Sequence, residues 1–219
     1  MVLPLELNEQ KNICLEACVE TLEEAILAER NGANRLELCN RLDLDGLTPN
    51  LNLTKKIMEK ISIPIKVMIR ERDGNFVYSD DEILAMQNKI EVFKSIGVLE
   101  VVFGVLNVNK EIDTQATNHL AKHAFPMTVT FHKAIDQTSN IFGALEKIKS
   151  IPGISNVLTS GGKNNAESGY KIIKEMINVA NNKINIIAAG SITNNNLEYL
   201  HKKIGAVNYH GRKIVGELN

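Results

Sequence analysis

Short runs rich in β-branched and aliphatic residues alternate with longer amphipathic stretches along most of this chain. The pattern predicts strands near 13–18, 34–39, 64–70, 99–104, 127–132, 155–160, 184–190 and 206–211. It predicts helices near 21–31, 50–61, 79–96, 113–123, 138–149, 165–181 and 193–203. Breakers bound the strands: Asn31-Gly32, Ile63-Pro64, Gly97, Pro126 and Gly205. Helix starts carry caps, with Thr21 and Ser79 each followed three residues later by a glutamate, Glu24 and Glu82. Successive strands begin roughly 20–35 residues apart, the length of a strand plus a crossover helix.

Eight parallel strands with right-handed crossovers predict a (β/α)8 TIM-type barrel, an α/β fold, in one domain spanning 1–219. The competing arrangement is an open doubly wound sheet. Strand parity separates the two. Arg35-Leu36-Glu37-Leu38-Cys39 and Lys66-Val67-Met68-Ile69-Arg70 alternate between a charged and an apolar face, and Cys14–Cys18 and Thr128–His132 do likewise. Under a covering helix those charges would be buried without partners. Inside a barrel they can neutralise one another and reach a solvated mouth. The tail after Arg212 is short enough to leave the eighth helix stunted or absent, with one flank open to a partner subunit.

Composition narrows the class. Hydrophobic residues make up 44% and charged residues 23%, which excludes wholesale disorder. The 25 Lys+Arg and 26 Asp+Glu give a net charge of −1, without the basic excess of a nucleic-acid binder. No run of apolar residues is long enough for a membrane helix, and Met1–Gln10 lacks the flank and core of a signal peptide. Three cysteines, all early in the chain, argue against a secreted disulfide framework. The expectation is a cytoplasmic protein.

The predicted inward set comprises Glu16, Cys18, Arg35, Glu37, Cys39, Lys66, Arg70, Glu100, Thr128, Thr130, His132, Asn208 and His210. Its acids and bases balance, so a structural ion-pair network is one reading. The other is functional, because Cys18, Cys39, Arg70, His132 and His210 lie at C-terminal strand ends, where barrels place chemistry. Cys18 and Cys39 end adjacent strands and could share a soft ion, Cu(I) above all. They could equally be small buried hydrophobes, as Cys14 is expected to be. His132 is the candidate acid–base, with Arg70 and Arg72 as anion clamps and Glu16 or Glu37 as carboxylate base or orienting group. Arg35, Gly161, Gly190, His210 and Gly211 complete a candidate anion-binding rim, the glycines by analogy with phosphate-gripping turns. His132 is expected to be solvent-accessible beside Arg70. His119 and His123, four apart on one helix, are assigned to a solvated face. No organic cofactor is evident.

Local strings then resemble one family. They include Glu16-Ala17-Cys18-Val19, Asn34-Arg35-Leu36-Glu37-Leu38-Cys39, Gly46-Leu47-Thr48-Pro49, Met68-Ile69-Arg70 and Phe76-Val77-Tyr78-Ser79-Asp80. Val102-Phe103-Gly104-Val105-Leu106, Thr130-Phe131-His132 and Leu158-Thr159-Ser160-Gly161-Gly162 follow in order. Over roughly residues 13–211 the chain resembles the CutC family, named for copper homeostasis. That resemblance implies a TIM-type barrel, a cytoplasmic location, homo-oligomers and a Cu(I) site at the cysteines aligned with Cys18 and Cys39. The chain departs from the family pattern at Glu71, Lys133, Ile135 and Arg212. Beside the copper role stands a second reading: an enzyme acting on a small anionic substrate, such as a phosphorylated one.

Overall fold

A computed structural model describes residues 13–218. The signal-peptide reading of Met1–Gln10 lies outside them. The strands are β1 (Cys14–Val19), β2 (Arg35–Leu38), β3 (Ile65–Met68), β4 (Glu100–Phe103), β5 (Thr128–Phe131), β6 (Ile154–Thr159), β7 (Asn185–Ala188) and β8 (Asn208–Gly211). The helices are α1 (Leu22–Arg30), α2 (Leu51–Lys60), α3 (Asp80–Ser95), α4 (Thr114–Ala124), α5 (Ile141–Lys149), α6 (Ala166–Ala180) and α7 (Leu197–Ile204). The strands pair in sequence order, all parallel, and β8 closes onto β1. The fold is the (β/α)8 barrel, and the open sheet is excluded by that closure.

Local chemistry sets the helix starts. The Thr21 hydroxyl accepts from Glu24 N–H, and Ser79 with Glu82 forms a reciprocal capping box. The segment after β5 differs from the expectation. A 3-10 turn, Lys133–Gln137, comes first, and α5 begins only at Ile141. His132 caps that turn with its ring, which a sequence pattern of apolar spacing does not report. Among the described residues no helix follows β8. No helix of the described residues is long and apolar enough to cross a membrane.

Strand parity divides the core in two. Leu36, Leu38, Val67, Val101, Phe103, Val129 and Phe131 point outward and are fully buried beneath the helices. Glu16, Glu37, Lys66 and Thr130 point inward and are almost fully buried inside the barrel. Nearer the mouth, Cys18, Cys39, Met68 and Val102 pack as a separate interior cluster.

Candidate functional site

Lys66 joins three strands across the barrel interior. Its Nζ lies 3.1 Å from Glu16 on β1, 2.9 Å from Glu100 on β4 and 2.8 Å from the Thr130 hydroxyl on β5. Arg35 pairs with Glu16 from below, and His210 Nδ1 reaches the other Glu16 oxygen at 2.8 Å. Burial alone would raise the Glu16 pKa. Lys66, His210 and Arg35 override it and hold the carboxyl well below the usual range. Burial likewise opposes charge on His210, yet Glu37 and Glu16 hold its pKa well above that of a free imidazole. This is the structural network of the two readings. Glu16 is fully buried, ringed by cations and not among the residues that line the mouth cavity.

A cavity of about 500 Å³ opens at the C-terminal mouth, lined among others by Cys18, Glu37, Met68, Arg70, His132 and His210. Its size is that of a small-molecule site. The thiols of Cys18 and Cys39 lie 3.7 Å apart, and Glu37 Oε2 is 3.5 Å from the first and 3.6 Å from the second. The three donors form one compact buried group. The hydrogen bond with Cys18 and then burial raise the Cys39 pKa well above that of a free thiol. Burial also raises Glu37, whose Oε1 has no hydrogen-bond partner. Cys14, deeper in β1, stands apart from this group.

His132 departs from expectation in its exposure: only 4% of its surface is accessible, although it lines the mouth cavity. Its Nδ1 accepts from Ala134 N–H at 3.2 Å, which places the ring proton on Nε2. That Nε2 has no partner. Burial, then the charge of Arg70, lowers the His132 pKa to about 3. The neutral form was expected, but a proton shuttle near neutral pH was also expected and does not follow. The ring is a fixed hydrogen-bond donor.

Arg70 lies at the same mouth, its NH1 donating to Leu44 O (2.8 Å) and Gly46 O (3.1 Å) and its NH2 to Gly74 O (3.2 Å). Arg72, Arg35 and Gly161 are committed elsewhere. Arg72 pairs with Glu82 and covers the Tyr78 ring, away from the cavity. Arg35 is committed to Glu16 inside the barrel. Gly161 N–H donates to Thr159 Oγ1, and Gly162 N–H donates to Asp136. Gly190 and Gly211 line the cavity, yet packing explains both: a Cβ on Gly211 would lie 2.2 Å from Ile192 O, and one on Gly190 2.9 Å from Ser160 Cβ. His119 and His123 contact Gln87 and Glu91 on α3, a helix-to-helix surface pairing.

Met68, Gly104 and the cavity residues Lys133 and Lys163 were not singled out as site residues from the sequence. Met68 carries the inward parity of Lys66 and Arg70, which was the available signal. Gly104 leaves room for the His132 ring, since a Cβ there would lie 2.6 Å from Nδ1.

The model of the CutC family matches residues 13–215. The chain belongs to the CutC family. A family protein CutC from Aliivibrio fischeri is 40% identical over 91% of this chain and 81% of its own length. A human copper homeostasis protein cutC homolog is 38% identical over 90% of this chain and 71% of its own. A crystal structure from Streptococcus agalactiae that bears the CutC copper-homeostasis name superposes with a TM-score of 0.87 at 30% identity, over 92% of this chain and 99% of that one. Deoxyribose phosphate aldolase from Aeropyrum pernix, 12% identical with a TM-score of 0.68, over 98% of this chain and 92% of that one, shares the barrel alone.

Proposed function

We propose that this protein takes part in copper homeostasis by holding Cu(I) between the thiolates of Cys18 and Cys39 at the barrel mouth. The observation that carries this reading is the 3.7 Å separation of the two sulfurs. Metal–sulfur bonds of about 2.3 Å meeting at a tetrahedral angle put two sulfurs about 3.8 Å apart. A linear arrangement would need about 4.6 Å on the same bond length. The pair therefore suits a bent site with room for a further ligand, and Glu37 Oε2 lies 3.5 and 3.6 Å from the two sulfurs.

Softness supplies the selectivity. Thiolate and thioether donors favour Cu(I) over hard divalent ions, and Met68 packs in the same cluster as both cysteines. Binding displaces thiol protons, because the thiolate is the ligand. The copper-homeostasis names of the human and streptococcal relatives support the same reading.

The test is anaerobic competition for Cu(I) against a coloured chelator, with wild type and the Cys18→Ser/Cys39→Ser variant. Wild type should retain one Cu(I) per chain and the variant none, since a hydroxyl is a poor ligand for a soft ion. Equal stoichiometry in the two proteins would remove the site.

A further inference from the structure

We propose that the barrel mouth also binds the oxyanion group of a small metabolite, a carboxylate or a phosphate, anchored by Arg70 and by the Nε2–H of His132.

Arg70 is 4% exposed, and among the described residues no carboxylate lies within ion-pair distance of it. Its NH1 and NH2 groups are pinned by three loop carbonyls, while its Nε is buried with no partner. Carbonyl groups orient the guanidinium but leave its charge uncompensated. A buried charge without a counter-ion is costly, and a bound anion removes that cost.

His132 supplies the second donor. With Nδ1 accepting from Ala134 N–H, its Nε2–H is the ring's free donor, and it is buried without a partner in a residue that lines the cavity. The Phe76 ring lies between the two anchors, 5.0 Å from the Arg70 guanidinium carbon and 4.8 Å from the His132 ring, centre to centre. It holds both in place without offering an acceptor.

Arg70, Lys133, Lys163 and Arg212 line the cavity together with the acidic Glu37, Asp45 and Asp136. The nearby carboxylate of Asp136 is held by its neighbours: Oδ1 accepts from Thr159 Oγ1 and Gly162 N–H, and Oδ2 from Ser160 N–H, while the Ser160 hydroxyl lies between Oδ2 and Lys163 O. Two unpartnered donors and one fixed cation in a cavity of about 500 Å³ suit a small oxyanion.

This inference is independent of the copper reading, and the experiment keeps them apart. Inorganic phosphate and malonate are titrated separately, at constant ionic strength with chloride as control, by calorimetry and thermal unfolding. The ¹⁵N resonance of His132 Nε2 is followed in parallel. At least one of the two anions should bind saturably and move the Nε2 resonance, while chloride does neither. Phosphate alone identifies a phosphate ligand, and malonate alone a carboxylate. In copper-free protein, Arg70→Gln and His132→Phe should each weaken binding at least tenfold. If Arg70→Gln does not fold, His132→Phe and the Nε2 resonance decide. No saturable binding of either anion, or wild-type binding in a folded His132→Phe variant with an unmoved Nε2 resonance in the wild type, would overturn the proposal.

Discussion

His210 on the last strand donates through Nδ1 to Glu16 on the first, 2.8 Å away, at the register position where the barrel closes. The ring's other nitrogen lies 3.8 Å from Glu37, beside the thiols. One imidazolium thus joins the closure of the fold to the wall of the candidate copper site.

That arrangement fixes the pH dependence of stability. His210, with its pKa raised, contributes stability that is full below about pH 6.5, the unfolded value, and is lost as pH rises through the folded value. His132 acts in the opposite sense. Its folded pKa of about 3 means that the unfolded chain protonates first, so stability falls as pH drops from about 6.5 toward 3, by about 1.4 kcal/mol per pH unit. Glu16, with its pKa lowered, adds a loss only at more acid pH, below about 4.3. Glu37, with its pKa raised, opposes the His132 slope above about pH 4.3, so urea unfolding across pH is compared between wild type and His132→Phe. His132→Phe should flatten the limb between about pH 6 and 4.5 and leave the alkaline limb in place.

Glu16 is the hub of the buried network, so its charge cannot be removed cheaply. Glu16→Gln leaves Lys66, Arg35 and His210 short of a counter-charge. The expected loss is about 3–5 kcal/mol in urea unfolding near neutral pH. A loss below about 1 kcal/mol would mean that the remaining acids compensate fully.

Gly104 offers a test of how His132 is held. In Gly104→Ala the added Cβ would lie 2.6 Å from His132 Nδ1 and 3.0 Å from the Phe131 ring, so the imidazole must shift off Ala134 N–H. The variant should lose about 1–3 kcal/mol and change the ¹⁵N shift of His132 Nε2. An unmoved resonance would show that the ring position does not depend on the missing side chain.

Strand parity made the barrel and much of its interior legible in the sequence. Charges at alternate positions, as in Arg35-Leu36-Glu37 and Lys66-Val67-Met68, have no low-energy place except a lumen where they meet. The same rule brought Cys18 and Cys39 together, because they end adjacent strands with the same facing. What it did not give was the state of each group. Whether Arg70 meets a carboxylate or three carbonyls depends on the loops bearing Leu44, Gly46 and Gly74, which no periodicity describes. Nor did it give the partner of His132, whose Nδ1 accepts from a backbone N–H in the following 3-10 turn. Arg72, two positions past Arg70, lies in a loop that strand parity does not describe, and it pairs with Glu82.

The central claim is that Cys18 and Cys39 hold the metal, and X-ray absorption at the copper edge tests it most directly. In protein loaded with one Cu(I) per chain, the account predicts two sulfur neighbours at about 2.3 Å in a bent site with a further ligand. The Cys18→Ser/Cys39→Ser variant should lose that sulfur shell. A copper shell without sulfur in the wild type, or a sulfur shell that survives in the double variant, would contradict it.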